Sequence, residues 1–429
     1  MQLGIVLLIL VFACLFLGVP VYLTLGAVGT LGLLMMPRFP LLVIPQSIYT
    51  GIGFFPLLAI PFFVLAGELM NKAGITDRLI RFSNMLIGRA PASLANSNIL
   101  ASMFFGGITG SAQADTSAIG SVMIPVMVKE GYSPQFSAAV TAASSTVGPI
   151  IPPSILMVIY CVTVGGSIGA MFVAGIIPGI LIGVGLILMV LMLDRKHRFP
   201  RRTDTIPFRE KVRITVDAFW PLGMPLIIVG GILGGVFTPT EAGATAVVYS
   251  LVVGFFILKT LTLKDLIPLL RNTVLLTSAV LMIISCARVL SWVLTLVQVQ
   301  IHIGELIRSL STSPIVFLAL VNVLLLIMGT FMDGSASVII LAPILAPIAA
   351  QFGINPVHFG LIVVLNLIIG QGTPPLGLCL FIACGIARCP VEKGARAILP
   401  LILAEVVVLL IITYIPEFVL FIPRMFGYV

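Results

Sequence analysis

Ser144-Ser145-Thr146-Val147-Gly148-Pro149-Ile150-Ile151-Pro152-Pro153 is a helix-breaking run inside an apolar stretch. Its counterpart, Asn366-Leu367-Ile368-Ile369-Gly370-Gln371-Gly372-Thr373-Pro374-Pro375, follows 222 residues later. The offset holds without a gap from Gly107–Pro178 to Gly329–Pro400. Eight helix breakers meet their own kind along it: Gly107/Gly329, Pro125/Pro347, Gly131/Gly353, Pro134/Pro356, Gly148/Gly370, Pro152/Pro374, Pro153/Pro375 and Pro178/Pro400. With 41 Gly and 29 Pro in 429 residues, about one such match is expected by chance. The chain is therefore two copies of one design. Breaks at matching places in two halves of a membrane protein point to the binding site of a secondary transporter.

Composition puts these breaks in a bilayer. Hydrophobic residues make up 59% of the chain and charged residues 9%, too few polar groups to cover a soluble domain of this size. Apolar stretches run at about 3–36, 54–70, 96–128, 136–161, 168–193, 217–235, 243–258, 273–297, 313–351 and 357–422. At about 20 residues per crossing they predict roughly 11 to 12 spans plus re-entrant pieces. The first stretch has no basic n-region and resumes after Gly18-Val19-Pro20, which is not the pattern of a cleavable signal peptide.

The net charge of +8 does not mark a nucleic-acid binder, because the cations are concentrated in a few loops. Arg195, Lys196, Arg198, Arg201, Arg202, Arg209, Lys211 and Arg213 stand against Asp204 and Glu210 in one run, which positive-inside bias makes cytoplasmic. Lys72, Arg78, Arg81 and Arg89 form a weaker second cluster. Either cluster is also a place for anionic membrane lipid. The six cysteines lack metal-ligand spacing, and no zinc, serine-nucleophile or ATP motif is present. Any pumping therefore draws on an ion gradient or another subunit.

In each copy the breaks come in a fixed order. The run Gly106-Gly107-Ile108-Thr109-Gly110-Ser111-Ala112-Gln113-Ala114-Asp115-Thr116, and Gly329-Thr330-Phe331-Met332-Asp333-Gly334-Ser335 in copy two, cannot stay regular helix through a bilayer. Each reads as the tip of a re-entrant hairpin closing near Pro125 or Pro347. The next helix breaks at Gly148–Pro153 or Gly370–Pro375, where prolines free carbonyl oxygens around Gly148–Ile151. Freed carbonyls and nearby hydroxyls suit a dehydrated monovalent cation, while an opposing half-helix N-terminus suits a carboxylate. Gly and Pro that merely kink helices for packing explain one break, but poorly explain four in two matched pairs.

At these residues the chain resembles the large membrane subunit of the tripartite ATP-independent periplasmic (TRAP) transporters. The likeness covers nearly the whole chain, through Pro61–Met70, Gly110-Ser111-Ala112, Ile339–Leu345, Pro356–Gly360 and Thr373–Gly377. It implies an elevator-type, Na⁺-coupled importer of organic acids in a bacterial inner membrane, working with a small membrane subunit and a periplasmic substrate-binding protein. It also implies two or more Na⁺ sites. Thr109, Ser111, Gly148, Ile151 and Pro153 match the first, and Asp333, Gly370, Thr373 and Leu376 the second. Asp115, Ser167, Glu241 and Arg288 match the substrate-binding pattern. Arg288 also stands out physically, since an arginine in an apolar run is costly unless it faces a cavity or a partner such as Glu68. Acids near an anionic substrate suit hydroxyl or amine groups, a lean toward a sialic-acid-like substrate over a C4-dicarboxylate.

The expected fold is an all-α polytopic membrane protein with two inverted repeats, re-entrant hairpins and broken helices, the architecture of elevator-type ion transporters. Its expected parts are scaffold helices at 1–53, repeat one at 54–195, a basic cytoplasmic loop at 196–214, further scaffold at 215–272 and repeat two at 273–429. Coupling to H⁺ through Asp115, Asp333 or Glu241 is the alternative to Na⁺. A channel lacks its continuous polar stripe here, and an intramembrane enzyme would have only Asp115 and Asp333 as a formal dyad, without a supporting motif.

Overall fold

The computed structural model describes residues 2–36, 39–200, 206–310 and 313–428. Arg201, Arg202 and Asp204 of the basic loop lie outside them. Every regular element among the described residues is helical. Helices α1 (Gln2–Phe16), α2 (Val21–Leu34) and α3 (Val43–Ile52) open the chain, and a 3-10 turn at Phe55–Leu58 leads into α4 (Ala59–Lys72) and α5 (Ile75–Ile87). The first hairpin is α6 (Ser93–Thr109) and α7 (Ala112–Lys129), and the first broken helix is α8 (Pro134–Val147) with α9 (Ile155–Val164). Then come α10 (Ile168–His197), α11 (Phe208–Leu233), α12 (Pro239–Val252), α13 (Leu263–Leu296) and α14 (Val299–Leu310). The second hairpin is α15 (Pro314–Phe331) and α16 (Gly334–Gln351). The second broken helix is α17 (Pro356–Gly372) with α18 (Leu378–Ala387), followed by α19 (Val391–Tyr414) and α20 (Glu417–Met425).

With 222 added, the starts of α7 and α8 fall on those of α16 and α17, and the starts of α9 and α10 fall one residue before those of α18 and α19. The packing matches as well. Helix α9 lies on α16 and α18 on α7, so the second half of each broken helix packs against the hairpin of the other half of the chain. Helices α8 and α19, and likewise α10 and α17, complete the exchange.

Among the described residues, eight helices are long and apolar enough to cross a membrane, and nine if α8 and α9, bent by 46° at their break, count as one span. The protein is a multi-pass membrane protein. The sequence count of 11 to 12 is higher because it allotted every crossing about 20 residues. Helices α1, α2, α17 and α18 are shorter apolar pieces, and those beside a break need not traverse the bilayer alone. The hairpins also run past the prolines expected to close them. Helix α7 continues through Pro125 to Lys129, and α16 through Pro347 to Gln351. A proline removes one hydrogen bond, which neighbouring helices in a membrane protein absorb.

Two devices fasten each hairpin to its broken helix. The first is glycine contact: a Cβ on Gly106 would collide with the backbone of Gly148, and one on Gly370 with that of Gly329. The second is buried polar bonding at the matched positions Ser144 and Asn366. Ser144 bonds Ser102 at 3.1 Å and Asn98 Oδ1 at 3.3 Å, while Asn366 Nδ2 donates to Asn322 Oδ1 at 2.7 Å. Asn322 in turn donates to Thr413 at 3.1 Å. In hydrocarbon such groups need partners, so these bonds set the position of each hairpin on its helix.

Candidate functional site

Tip one is shaped by residues that end and start helices. Thr109 closes α6, Gly110 adopts a left-handed φ of 62°, and Ser111 caps α7 by accepting from the Ala114 amide at 3.4 Å. The tip lies against the first break, because a Cβ on Gly110 would meet the carbonyl oxygen of Pro153, and one on Gly107 that of Pro152. Helix α8 passes into a 3-10 turn at Gly148–Ile150, Ile151 is extended, and α9 restarts with Ser154 as its cap. The freed carbonyls fall where expected, since those of Pro149, Ile150 and Ile151 accept no hydrogen bond. Gly148 O accepts the Ile151 amide at 3.1 Å, whereas the carbonyls of Ile151, Pro152 and Pro153 accept no hydrogen bond. Proline supplies no amide to continue the ladder, so the unpaired oxygens are those at and just before the proline pair.

The Thr109 hydroxyl is buried without a hydrogen-bond partner. An orphaned hydroxyl at a tip that packs on a break with unpaired carbonyls supplies the oxygen donors a dehydrated Na⁺ requires, so Thr109, Ile151 and Pro153 have the chemistry to hold such an ion. Gly148 contributes close packing, with Asp115 at its side: a Cβ on Gly148 would stand 3.6 Å from Asp115 Oδ2. Asp115 is fully buried, and neither carboxyl oxygen has a hydrogen-bond partner.

Tip two follows the same plan with different chemistry. Asp333 caps α16, its Oδ1 accepting from the Ser335 amide at 2.8 Å. At the second break Thr373 is extended and its hydroxyl donates to Ile369 O at 2.8 Å. The carbonyls of Thr373 and Leu376 accept no hydrogen bond, while the Leu376 side chain is exposed. Gly370 serves as the contact point with Gly329.

The tips meet through a residue the sequence reading quoted but did not assign. Gln113 Nε2 donates to Asp333 Oδ2 at 3.2 Å and to Gln371 Oε1 at 3.0 Å, and its Oε1 accepts from Ser111 at 3.1 Å. Ser111 and Asp333, matched by the repeat, are thereby joined across the two halves. Four helices, α7, α9, α16 and α18, begin at these tips and breaks, and their unpaired N-terminal amides favour an anion.

Ser167, Glu241 and Arg288 lie elsewhere. Ser167 caps α10, accepting from the Ala170 amide at 3.2 Å, beyond the far end of α9. Glu241 is exposed and closes a capping box at the start of α12, accepting from the Thr238 amide and hydroxyl at 2.8 Å each. Arg288 is exposed and makes no ion pair with Glu68, its side chain lying beside Gly51 of α3. Helices α9 and α12 pack on the 3-10 turn at 55–58, and Gly243 of α12 abuts Phe62. Helix α4 links that region to the first tip, its Gly67 lying against Thr109.

Sequence comparison decides what this arrangement belongs to. Residues 8–418 match the family model described as tripartite ATP-independent periplasmic transporter, DctM component. The chain belongs to this family. It is similar to the isethionate TRAP transporter permease protein DctMQ of Oleidesulfovibrio alaskensis, 38% identical over 94% of this chain and 64% of that longer protein. It is likewise similar to the sialic acid TRAP transporter large permease protein SiaM of Vibrio cholerae, 39% identical over 96% of this chain and 97% of the relative. Among solved structures, the YdaH transporter of Alcanivorax borkumensis matches with a TM-score of 0.61 at 16% identity, covering 88% of this chain and 89% of that one, a likeness of fold. As a DctM component of this transporter family, the chain is a multi-pass transport protein of the bacterial inner membrane, and these relatives are named as transporter permeases.

Proposed function

We propose that this permease imports an organic acid anion, in the sialic acid or C4-dicarboxylate class, coupled to Na⁺ and by movement of the hairpin and broken-helix core as an elevator. The substrate is handed over by a periplasmic binding protein, and a small membrane subunit covers part of the apolar scaffold surface. The bridge through Gln113 carries this reading. It ties tip one, Asp333 and Gln371 into one polar track at the meeting of four helix starts, so a substrate anion held there touches both halves at once.

Thr109, Ile151 and Pro153 would hold one Na⁺, and Asp333, Thr373 and Leu376 the other, each partly through backbone carbonyls. With its ion bound, each tip is fixed against its break, and Gln113, Ser111 and Gln371 are left to orient the substrate. Asp115, buried beside Gly148, keeps the first site polar from behind. The core comprises α6–α9 and α15–α18, and α1–α4 with α11–α13 form the scaffold past which it slides; the two repeats have opposite topology. Ser167, Glu241 and Arg288 stand apart from the tips and act on the substrate's path to them.

Uptake of labelled sialic acid and C4-dicarboxylates by the reconstituted complex, with its binding protein, tests this reading. Thr109→Val and Asp333→Ala are expected to raise the Na⁺ concentration needed for half-maximal uptake about tenfold, the worth of one charge-assisted contact. Unchanged Na⁺ dependence in both variants, or uptake following a pH gradient without Na⁺, counts against Na⁺ coupling.

A further inference from the structure

Helix α19 carries two acids, Glu392 in its first turn and Glu405 deep in its apolar length, within Ala404-Glu405-Val406. The Glu405 side chain is 1% exposed. The repeat assigns no acid to this place in the other half, since 222 residues earlier stands Gly183. Glu405 Oε1 lies 2.6 Å from Thr146 Oγ1 of α8, and the same hydroxyl lies 2.6 Å from the carbonyl oxygen of Ala143. Glu405 Oε2 is buried with no partner.

A threonine hydroxyl has one proton and cannot point it along two 2.6 Å contacts at once. Ala143 O can only accept, so that contact takes the Thr146 proton. The Glu405 contact then needs a proton of its own, on Oε1, donated to Thr146 Oγ1. The unpaired Oε2 leads to the same answer. A carboxylate oxygen buried in helices without a donor is a large cost, whereas the carbonyl oxygen of a neutral acid is a small one. Among the described residues no cation pairs with Glu405. Lys393 and Arg396 lie on α19 itself, 12 and 9 residues before Glu405, or about 18 and 13 Å along the helix.

We propose that Glu405 is a proton-binding site of the helical core, present in one repeat only, which holds α19 on α8 while its carboxyl is neutral. One proton from water adds to the carboxylate to make the acid, and its O–H bonds Thr146; loss of that proton leaves an unpaired charge that pushes the helices apart. The titratable groups on neighbouring elements are few. Helix α8 has none; α18 presents Cys379, with Asp115 and Asp333 beyond it. Helix α17 presents His358, which bonds Ile412 O of α19 at 2.9 Å, and α10 has Asp194, Arg195 and Lys196 at its end.

The test is infrared spectroscopy of the purified full-length protein in liposomes, with uptake measured in parallel on the reconstituted complex. Wild type is expected to show a carboxylic-acid carbonyl band at neutral pH that is lost in Glu405→Gln, whose amide still donates to Thr146. Thr146→Val keeps the band but moves it to higher frequency, because the O–H loses its acceptor. Uptake by wild type is expected to fall as pH is raised, and Glu405→Gln to lose that alkaline fall. An identical acid band in wild type and Glu405→Gln, or superimposable alkaline limbs, overturns the proposal. The uptake arm rests on the transport reading above. The infrared arm does not, so failure of one leaves the other legible.

Discussion

Gln113 shows how a single side chain fixes the relation of the two halves. Its amide reaches Asp333 and Gln371, 220 and 258 residues away in sequence, and its carbonyl oxygen takes the Ser111 proton. Gln113→Ala removes these bonds and leaves the Gln371 carbonyl oxygen without its donor. The expected loss is about 1–3 kcal/mol of contact energy, read as a rise of roughly tenfold or more in substrate KM with normal amounts of protein in the membrane. Gln371→Ala is expected to behave alike, and the double variant to cost less than the sum, because the two share a bond. Nothing in the sequence distinguished Gln113 from the other polar residues at the tip. Its partners lie in the other copy, and spacing within one copy does not report contacts between copies. Asp115 was marked by the family resemblance as a substrate residue, and the structure places it buried beside Gly148.

At the scale of elements, the hairpins and broken helices were legible because glycine and proline act locally. Gly110 takes a φ only glycine adopts easily, and the proline pairs end α8 and α17 by withholding amides. Close contact of glycine backbones is equally demanding. Gly106→Ala drives a methyl into Gly148, a clash expected to lower the stability of the detergent-solubilised protein by about 1–3 kcal/mol, seen as a lower unfolding temperature. Asn366→Leu is expected to cost a similar amount by leaving the Asn322 carbonyl oxygen without its amide donor in the core. Less legible was the extent of each element. Pro125 and Pro347 read as closing the hairpins, yet α7 and α16 run on to Lys129 and Gln351, since a packed neighbour can sustain a helix whose ladder has lost one bond.

For the whole molecule, the two basic clusters that the sequence offered separately become one feature. Helix α5 and the start of α11 enclose a cleft of about 1640 Å³ lined by Arg78, Arg81, Arg209, Lys211 and Arg213 together with Asp77 and Glu210. Charge bias predicts that this face lies on the cytoplasmic side. A cysteine introduced as Lys211→Cys, in a chain whose six free cysteines are first replaced, is expected to react with an impermeant maleimide in inverted vesicles and not in intact cells. Labelling from outside would reverse the assigned orientation.

By itself the sequence determined that the chain lives in a bilayer, that it is built twice, and where each copy breaks. These follow from composition and from backbone chemistry that glycine and proline impose on their immediate neighbours. Only the tertiary structure decided which breaks face which tips, since α9 crosses to α16 and α18 to α7. It also decided which polar residues share a site: Ser111, Gln113, Asp333 and Gln371 converge, whereas Ser167 and Glu241 cap α10 and α12 and Arg288 lies beside Gly51. The reason is physical. A side chain's role in a membrane core is set by the partner that satisfies it, and that partner is chosen by packing between elements far apart in the chain.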